Sequence, residues 1–300
     1  MKTLLDKIAQ NKQKLTQLLA IPNNKTIMDK WLKTELAYTS NAIEGNTLTR
    51  KETALVIEED ITSSPKPIND YLEARNHAKA YDYIIERASE DLPITECTIL
   101  QIHKLILSGI DDMNAGFYRA VRVRISGSQA VLPNPLKVPT LMQEFSDWLS
   151  QKYDCPLLAA IEAHYRLVTI HPFVDGNGRT ARLLMNMILL RNGYAPIIIR
   201  PIDRKRYLSA LEARQVTENE EGYIKFMLTA LNRSLKTIID MLDTDKTDIA
   251  PAKLMTISRF AKHVGVPVST IRYWMETGKV KPVSYTASGY ALFSIEQKVE

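Results

Sequence analysis

Apolar residues recur at three- and four-residue spacing along most of this chain, which is the pattern of helices that bury one face. A chain in which such segments dominate indicates a mainly α protein. The helical segments that the spacing predicts span residues 27–44, 71–89, 95–108, 140–151, 157–170, 179–192, 204–214 and 219–242.

One segment departs from the helical pattern. Between Tyr118 and Val138 apolar and polar residues alternate, and the chain turns at Ser126-Gly127-Ser128. Alternation around a glycine-containing turn predicts a β-hairpin. Prolines in the second half limit the length over which the second strand pairs, because proline has no N–H to donate.

The last part of the chain has an organisation of its own. Residues 243–251 are polar and acidic, which predicts a linker. Beyond them, residues 256–264 and 267–275 predict a helix-turn-helix, and residues 281–294 predict a wing. The net charge is +5, and the last 49 residues carry seven lysines and arginines against three acidic residues. This basic surplus indicates an acidic partner.

Composition sets the class of protein. Apolar residues make up 45% of the chain and charged residues 24%, which is ordinary for a soluble globular protein. No apolar run reaches the length of a membrane span, and the first residues lack the apolar stretch of a signal peptide. Cys97 and Cys155 lie outside metal or redox spacing, which is typical of reduced cysteines. We therefore expect a cytoplasmic protein without a membrane partner.

A short glycine-rich turn carries the clearest chemical signal, in the sequence HPFVDGNGRTAR at residues 171–182. Pro172 disfavours helix in the residue before it, so the preceding helix ends there. Gly-Asn-Gly at 176–178 tolerates positive φ angles, which let successive backbone N–H groups converge. Because an apolar helix follows directly, the turn predicts an anion site at a helix N-terminus.

The side chains around this turn point to phosphate chemistry. Arg179 and Arg182 share a face in the first turn of the helix, where a cation opposes the helix dipole unless an anion binds beside it. Asp175 offers an oxygen ligand of the kind that Mg²⁺ uses beside phosphates. The imidazole of His171 has an ordinary pKa suited to taking a proton at neutral pH.

Nine of these twelve positions match the pattern H-P-F-x-D-G-N-G-R-x-x-R, and the chain resembles the Fic family. The resemblance implies a mainly α fold, with a Fic-type helical core and a β-hairpin flap formed by residues 118–138. It also implies transfer of AMP from ATP to a Ser, Thr or Tyr hydroxyl of a target protein. The flap of relatives pairs with the target peptide as an added strand, although a purely structural ribbon remains open.

The resemblance also implies a role for each motif residue. His171 is the general base, Phe173 anchors the loop in the core, and Asp175 holds Mg²⁺. The phosphates of ATP are held by Gly176, Asn177, Gly178, Arg179 and Arg182. Lysine stands at the position of Gly178 in the phosphotransferase branch, so glycine favours AMP transfer.

An upstream segment, SNAIEGN at residues 40–46, matches the inhibitory pattern [ST]-x-x-x-E-[GN] of the same family. Ser40 and Glu44 share a helix face, and Gly45 stands where the helix stops. Glu44 at a helix C-terminus and Arg182 at an N-terminus are each unfavourable alone, and pairing relieves both. We expect Glu44 to occupy Arg182 and to displace the γ-phosphate, although a solvated glutamate remains the alternative.

The basic tail resembles the MerR-type DNA-reading domain through STIRYW at 269–274, Gly278 and Gly289-Tyr290. Near the start of the second helix, Ser269, Thr270 and Arg272 would meet phosphates or base edges of DNA. The wing carries fewer arginines than such domains usually do. A winged helix that binds protein or supports a dimer is therefore an equal alternative.

The predicted organisation is an N-terminal helical region with the inhibitory helix (1–92), a Fic catalytic core (93–242), a linker (243–251) and a winged helix-turn-helix (252–300). The first hypothesis is a self-inhibited protein adenylyltransferase that uses ATP and Mg²⁺. Removal of AMP from the same target, with Glu44 orienting water, is a second hypothesis. A third is a transcription regulator whose core senses ATP. A monomer and a homodimer remain open.

Overall fold

The computed structural model describes residues 2–61, 65–90, 92–125, 127–217, 219–243, 254–285, 291–294 and 297. Helices dominate these ranges, which confirms the mainly α prediction. The helices are α1 Lys2–Leu19, α2 Asn24–Glu44, α3 Arg50–Glu59, α4 Ile68–Ser89, α5 Glu96–Leu107, α6 Val138–Leu149, α7 Pro156–Ile170, α8 Asn177–Arg191, α9 Arg204–Thr217, α10 Glu220–Leu242, α11 Ile257–Val264 and α12 Val268–Glu276. The strands are β1 Leu254–Thr256, β2 Ser284–Tyr285 and β3 Ala291–Ser294.

The chain folds as two compact units, Met1–Ile239 and Asp240–Glu300. The predicted linker at 243–251 lies outside the described residues except for Asp243. Among the helices that the structure describes, none has both the length and the apolar character to cross a membrane.

Helix α8 forms the centre of the first unit. Every residue of α8 from position 179 to 189 is buried, and α7, α4, α5 and α2 pack around it. A helix covered on all sides belongs to the interior of a core. This arrangement places the N-terminus of α8, which begins with the Gly-Asn-Gly turn, among the ends of the surrounding helices.

Two helices of the first unit, α1 and α3, are not among the predicted segments. Helix α1 is mostly polar and turns only Ile8 and Leu15 fully inward. Helix α3 begins with a capping box, in which the Thr49 hydroxyl accepts from the Glu52 N–H and the Glu52 carboxylate accepts from the Thr49 N–H. Such reciprocal caps satisfy two N–H groups that the helix leaves without partners.

The segment of residues 118–134, called the ribbon below, differs from the predicted hairpin. It reverses direction as expected, but its described residues form no strand ladder. The backbone N–H of Gln129 and the hydroxyl of Ser128 instead donate to the carboxylate of Glu212 in α9, at 2.6 and 2.9 Å. Prolines in the second half supply no N–H for pairing. Ser126 of the predicted turn lies outside the described residues.

The second unit is a small winged helix-turn-helix. Helix α11 ends at Gly265, which has a φ of 80°, and α12 follows after a short turn. Strand β3 pairs antiparallel with β1 and with β2, which gives the sheet order β1-β3-β2. The rings of Phe260 and Phe293 stack 4.6 Å apart in its core. The predicted Gly289-Tyr290 lies outside the described residues.

Candidate active site

The motif at 171–182 forms the loop between α7 and α8 and the first turns of α8. Helix α7 ends where His171 takes a left-handed conformation, with a φ of 51°. The Asn177 side chain then closes the loop, since its Oδ1 accepts from the Phe173 N–H and its Nδ2 donates to the Phe173 carbonyl, both at 2.9 Å. The side chain of Asn177 therefore shapes the loop.

Phe173 anchors the loop in the core, where it is fully buried. Its ring stacks on His103 of α5 with 3.6 Å between centroids. The Gly116 N–H donates to His103 Nδ1, so His103 Nε2 carries the hydrogen that bonds the Asp175 carbonyl at 3.0 Å. Burial lowers the pKa of His103 to about 4, which keeps this ring neutral. His103 is therefore a fixed support under the loop.

The hydrogen bonding of His171 leaves one of its ring nitrogens with a lone pair. Its Nδ1 lies 3.1 Å from the carbonyl oxygen of Val168. A carbonyl only accepts, so Nδ1 carries the proton and Nε2 holds the lone pair that can receive another. Burial lowers the pKa of His171, with a smaller contribution from the nearby Arg119 cation. The ring is neutral at pH 7 and able to take a proton.

Two glycines lie where α8 begins. Gly176 precedes the helix with a φ of 75°, and a Cβ there would lie 3.2 Å from the His103 ring. At Gly178 a Cβ would lie only 2.5 Å from Oε1 of Glu44. The first turn of a helix presents N–H groups that have no partner within the helix, which suits an anion. The carboxylate of Glu44 approaches that end of α8.

Glu44 and Arg182 form the pair expected from the sequence. Arg182 Nη2 donates to Glu44 Oε1 at 2.7 Å, and Arg182 Nε donates to the Ser40 hydroxyl at 2.9 Å. Burial lowers the pKa of this guanidinium, but the Glu44 carboxylate and the Tyr207 hydroxyl together outweigh burial and raise the pKa of Arg182. Ser40, Glu44 and the motif arginine therefore lie together, at the junction of α2 and α8.

The C-terminus of α2 is fixed by further contacts. Gly45 takes a φ of 103° and ends the helix, as the sequence predicts. The carbonyl of Ile43 accepts from Arg204 Nε at 2.6 Å, and the carbonyl of Ser40 accepts from Arg182 Nη2 at 3.0 Å. Cations at a helix C-terminus complement the helix dipole. The end of α2 is therefore held from both α8 and α9.

Arg179 lies in a different environment from the one expected for a residue that reaches outer phosphates. It is buried, and its Nη1 donates to Glu73 of α4 at 2.6 Å while its Nη2 donates to Asp175 at 3.0 Å. Glu73 also accepts from the Asn46 side chain at 2.8 Å. A chain of polar contacts thus joins the segment of residues 40–46 to the motif.

The contact between Glu73 and Arg179 should contribute to the stability of the fold. Replacing Glu73 with leucine should lower the free energy of unfolding by about 3 kcal/mol, because a buried cation loses its closest partner. Urea denaturation of the full chain measures this change. Glu58→Leu is the matched control, because its contact with Lys30 is exposed, and such pairs contribute at most about 1 kcal/mol. Equal losses in the two variants would show that the buried pair does not hold Arg179.

The described residues contain no group of three or more His, Cys, Asp or Glu side chains that could hold a metal by themselves. Asp175 is the carboxylate of the motif, and its side chain is 67% exposed. A cation that keeps several waters and binds phosphate oxygens needs only one or two carboxylates from the protein. The donor set therefore fits Mg²⁺ that arrives with a nucleotide.

The fold and the site define a helical protein with a glycine-rich loop at the N-terminus of its central helix. Comparison with known proteins agrees with this class. The model of the Fic/DOC family matches residues 93–189, and that of the MerR HTH family regulatory protein matches residues 255–298.

Relatives match beyond the motif. A protein adenylyltransferase Fic from Drosophila willistoni is 40% identical over 178 residues, which cover 58% of this chain and 35% of the relative. The protein adenylyltransferase Fic from Nematostella vectensis is 36% identical over 242 residues, which cover 77% of this chain and 55% of the relative. The chain thus spans between about a third and a half of the length of these curated relatives.

A solved structure covers more of the fold. The crystal structure of a Fic domain containing signaling protein from Bacteroides thetaiotaomicron is 30% identical, with a TM-score of 0.72. The match covers 79% of this chain and 98% of that protein. The chain belongs to the Fic/DOC family.

Proposed function

We propose that this chain is a protein adenylyltransferase that transfers AMP from ATP to a hydroxyl of a target protein. One observation carries the proposal: a neutral histidine with a free Nε2 lies at the entrance of a loop that ends in a helix N-terminus. A base and an anion site side by side are what a hydroxyl and a phosphate need in order to react. The names of the curated relatives support this activity.

The proposed reaction uses both ends of the loop, with His171 at one end and the start of α8 at the other. The target hydroxyl gives its proton to Nε2 of His171 as its oxygen bonds to the α-phosphorus of ATP. The bond between that phosphorus and the bridging oxygen breaks, and pyrophosphate leaves. The N–H groups at the start of α8 and the guanidinium of Arg182 stabilise the charge on the phosphates. The protein contributes mainly positioning and fixed positive charge.

Asp175 is the residue that would hold Mg²⁺. Its carboxylate is exposed and is held by Arg179 at 3.0 Å, so it can turn to a cation beside the phosphates. Mg²⁺ held by Asp175 would supply positive charge that offsets the negative charge of the phosphates. Glu73 keeps Arg179 paired when Asp175 leaves it, because the Glu73 contact at 2.6 Å is independent of the loop.

Self-inhibition is part of the proposal. The Glu44 carboxylate lies against both Gly178 and Arg182, which are the positions that a nucleotide's phosphates would approach. One guanidinium edge cannot serve a carboxylate and a γ-phosphate at once. We propose that ATP bound beside Glu44 holds its α-phosphate away from the in-line geometry.

Cys97 and Cys155 are free cysteines, which fits action in a reducing compartment such as the cytoplasm.

Label transfer tests the activity. The full chain is incubated with Mg²⁺, total soluble protein from a cell lysate and ATP labelled at the α-phosphate, and protein-bound label is measured after separation by size. We expect protein-bound label from α-labelled ATP and none from γ-labelled ATP. Label from the γ-position alone would show a phosphotransferase and would overturn the proposal.

We also propose that the second unit binds DNA through the start of α12. The family match at 255–298 supports this role. Ser269 and Arg272 are exposed on α12, as is Tyr273. In helix-turn-helix proteins the second helix enters the major groove, and its first residues meet base edges while basic side chains meet phosphates.

A mobility shift with a random-sequence duplex tests the DNA proposal across a salt series. Arg272→Ala should weaken binding and reduce the slope of log affinity against log salt by about one phosphate contact. Lys152→Ala removes an exposed cation from the first unit and should leave the slope unchanged. If the unaltered chain shifts no DNA at low salt, the tail has a different partner.

A further inference from the structure

Arg119 is a buried cation with an unusual set of partners, all of them backbone carbonyls. It is 3% exposed. Its Nε donates to the carbonyl of His171 at 2.8 Å, its Nη1 to that of Val121 at 3.0 Å, and its Nη2 to that of Pro133 at 2.7 Å. The backbone N–H of Arg119 donates to the carbonyl of Pro172 at 2.9 Å.

These contacts replace the strand ladder that the described part of the ribbon lacks. Val121 lies in the first leg of the ribbon and Pro133 in the second, and an open cleft of about 510 Å³ is lined by both legs. A planar guanidinium presents its N–H donors in a fixed fork, so a single side chain can hold both legs at once. Lysine carries the same charge without the fork.

The third carbonyl belongs to the proposed base. His171 has a positive φ of 51°, which is uncommon for a residue other than glycine and persists only where the surroundings hold it. Arg119 holds this part of the loop twice: its guanidinium donates to the His171 carbonyl, and its backbone N–H donates to the carbonyl of the next residue, Pro172. The same guanidinium that joins the two legs therefore also fixes the backbone of the base.

We infer that Arg119 is a positioning residue of the transfer reaction, which sets the separation between the ribbon and Nε2 of His171. A target segment lying along the ribbon then presents its hydroxyl to the base at a fixed distance. This inference rests on the proposed function, because it requires that the ribbon presents the target. Geometry at this joint matters, since a misplacement of about 1 Å can cost about 100-fold in rate.

The charge of Arg119 gives a second readout beside position. The groups that act on the His171 ring are Arg119 from the ribbon, Glu44 from α2 and Asp175 from the loop. The two carboxylates raise the pKa of His171, whereas Arg119 lowers it. Removing the cation should therefore move the acidic limb of the pH–rate profile to higher pH, and keeping the cation should not.

Two variants of the full chain distinguish the contribution of the forked guanidinium geometry of Arg119 from that of its positive charge. Arg119→Lys should bind ATP within about twofold of the parent, measured by calorimetry. Its label transfer at limiting lysate protein should fall by about 100-fold. The acidic limb of its pH–rate profile should stay at the same pH as in the parent. Arg119→Gln should lose transfer to a similar degree, and the acidic limb of its pH–rate profile should move to higher pH. Arg214→Lys is the matched control, because Arg214 is another buried arginine of the first unit that contacts Glu162.

The outcomes distinguish this inference from the proposed function. If the parent and Glu44→Gly both transfer no label, the proposed function fails and the inference fails with it. If the parent transfers label and Arg119→Lys does so equally well, only the role of Arg119 is overturned. The role of Arg119 would also be overturned if both variants lose ATP binding and transfer in parallel and their pH–rate profiles do not move. That result is the one expected if Arg119 only stabilises the fold.

Discussion

Replacing Glu44 with glycine should raise AMP transfer to the chain itself and to lysate protein by about tenfold to a thousandfold. The range follows from the bias, which is the free-energy difference between a self-inhibited state and a state that is competent to transfer AMP. A bias of a few kcal/mol leaves about 0.1–10% of molecules competent, and removal of the bias makes nearly all of them so. The measurement is label incorporated from α-labelled ATP at equal protein concentration.

The structure gives this gain a specific cause. Oε1 of Glu44 lies 2.7 Å from Arg182 Nη2, and it also faces the start of α8 at Gly178. Removal of the carboxylate frees an arginine and opens the N-terminus of a helix to a phosphate. The freed guanidinium keeps its contacts with Ser40, so it stays in place for its new partner. A phosphate suits the fork geometry of that guanidinium better than a water would.

Two controls isolate the cause. Glu44→Gly combined with Arg182→Ala should lose the gain, because the freed arginine is what positions ATP. Glu59→Gly is the matched control, since Glu59 is the last residue of α3 as Glu44 is of α2, and it is exposed. Glu59→Gly should transfer AMP at the parent rate. A gain in that variant would show that glycine at a helix end, and not the loss of the pair, releases activity.

The opposite result for Glu44→Gly would also be informative. If the variant is no more active than the parent, the pair with Arg182 does not inhibit transfer. Glu44 would then be a surface residue, or a group that orients water for removal of AMP. Release of label from a protein modified in advance would distinguish these two, because only the second role predicts that release requires Glu44.

The parts of the site that the sequence predicts are local. The motif at 171–182 contains its own turn, helix start and base, and the pairing of Glu44 with Arg182 follows from two helix ends of opposite polarity. All of these features depend on neighbours within a few residues or on a rule about helix termini. The structure brings the predicted residues to one place at the N-terminus of α8.

The supporting residues could not be predicted, because their partners are distant along the chain. Glu73 bonds Arg179 across 106 positions, and His103 bonds Asp175 across 72. In the sequence each is a polar residue within a helical pattern, and spacing alone does not say which face meets the loop. Arg119 lies in a segment that alternates like a strand, and the pattern gives no sign that a guanidinium replaces the ladder.

The missed helices have a different reason. Helix α3 is short, but its Thr49-x-x-Glu52 sequence is a capping box that a search for helix starts would find. Helix α1 was missed because five consecutive polar residues, at positions 10–14, interrupt its apolar spacing. The hairpin prediction depended on alternation and on a glycine-containing turn. Gln129 shows why these are insufficient, because its N–H bonds Glu212 of α9 and not the opposite leg.

Replacing His171 should abolish measurable transfer while ATP binding persists, because the phosphates are held by α8 and Arg182. A positioned base contributes about 100- to 10,000-fold to proton transfer. His171→Ala is the simplest variant, and His171→Asn is the better one, because asparagine tolerates the left-handed conformation at a φ of 51° and lacks a basic nitrogen.

The pH dependence shows whether the lost group is the base. Burial lowers the pKa of His171, so the neutral ring that accepts a proton predominates above that lowered value. The parent rate should rise with pH through that lowered pKa and level off above it, and residual transfer by His171→Asn should lack this limb. Label transfer is measured between pH 5 and 8, and ATP binding by calorimetry at pH 7. Parent-level transfer by His171→Asn would overturn the mechanism, because transfer would then need no basic nitrogen at position 171.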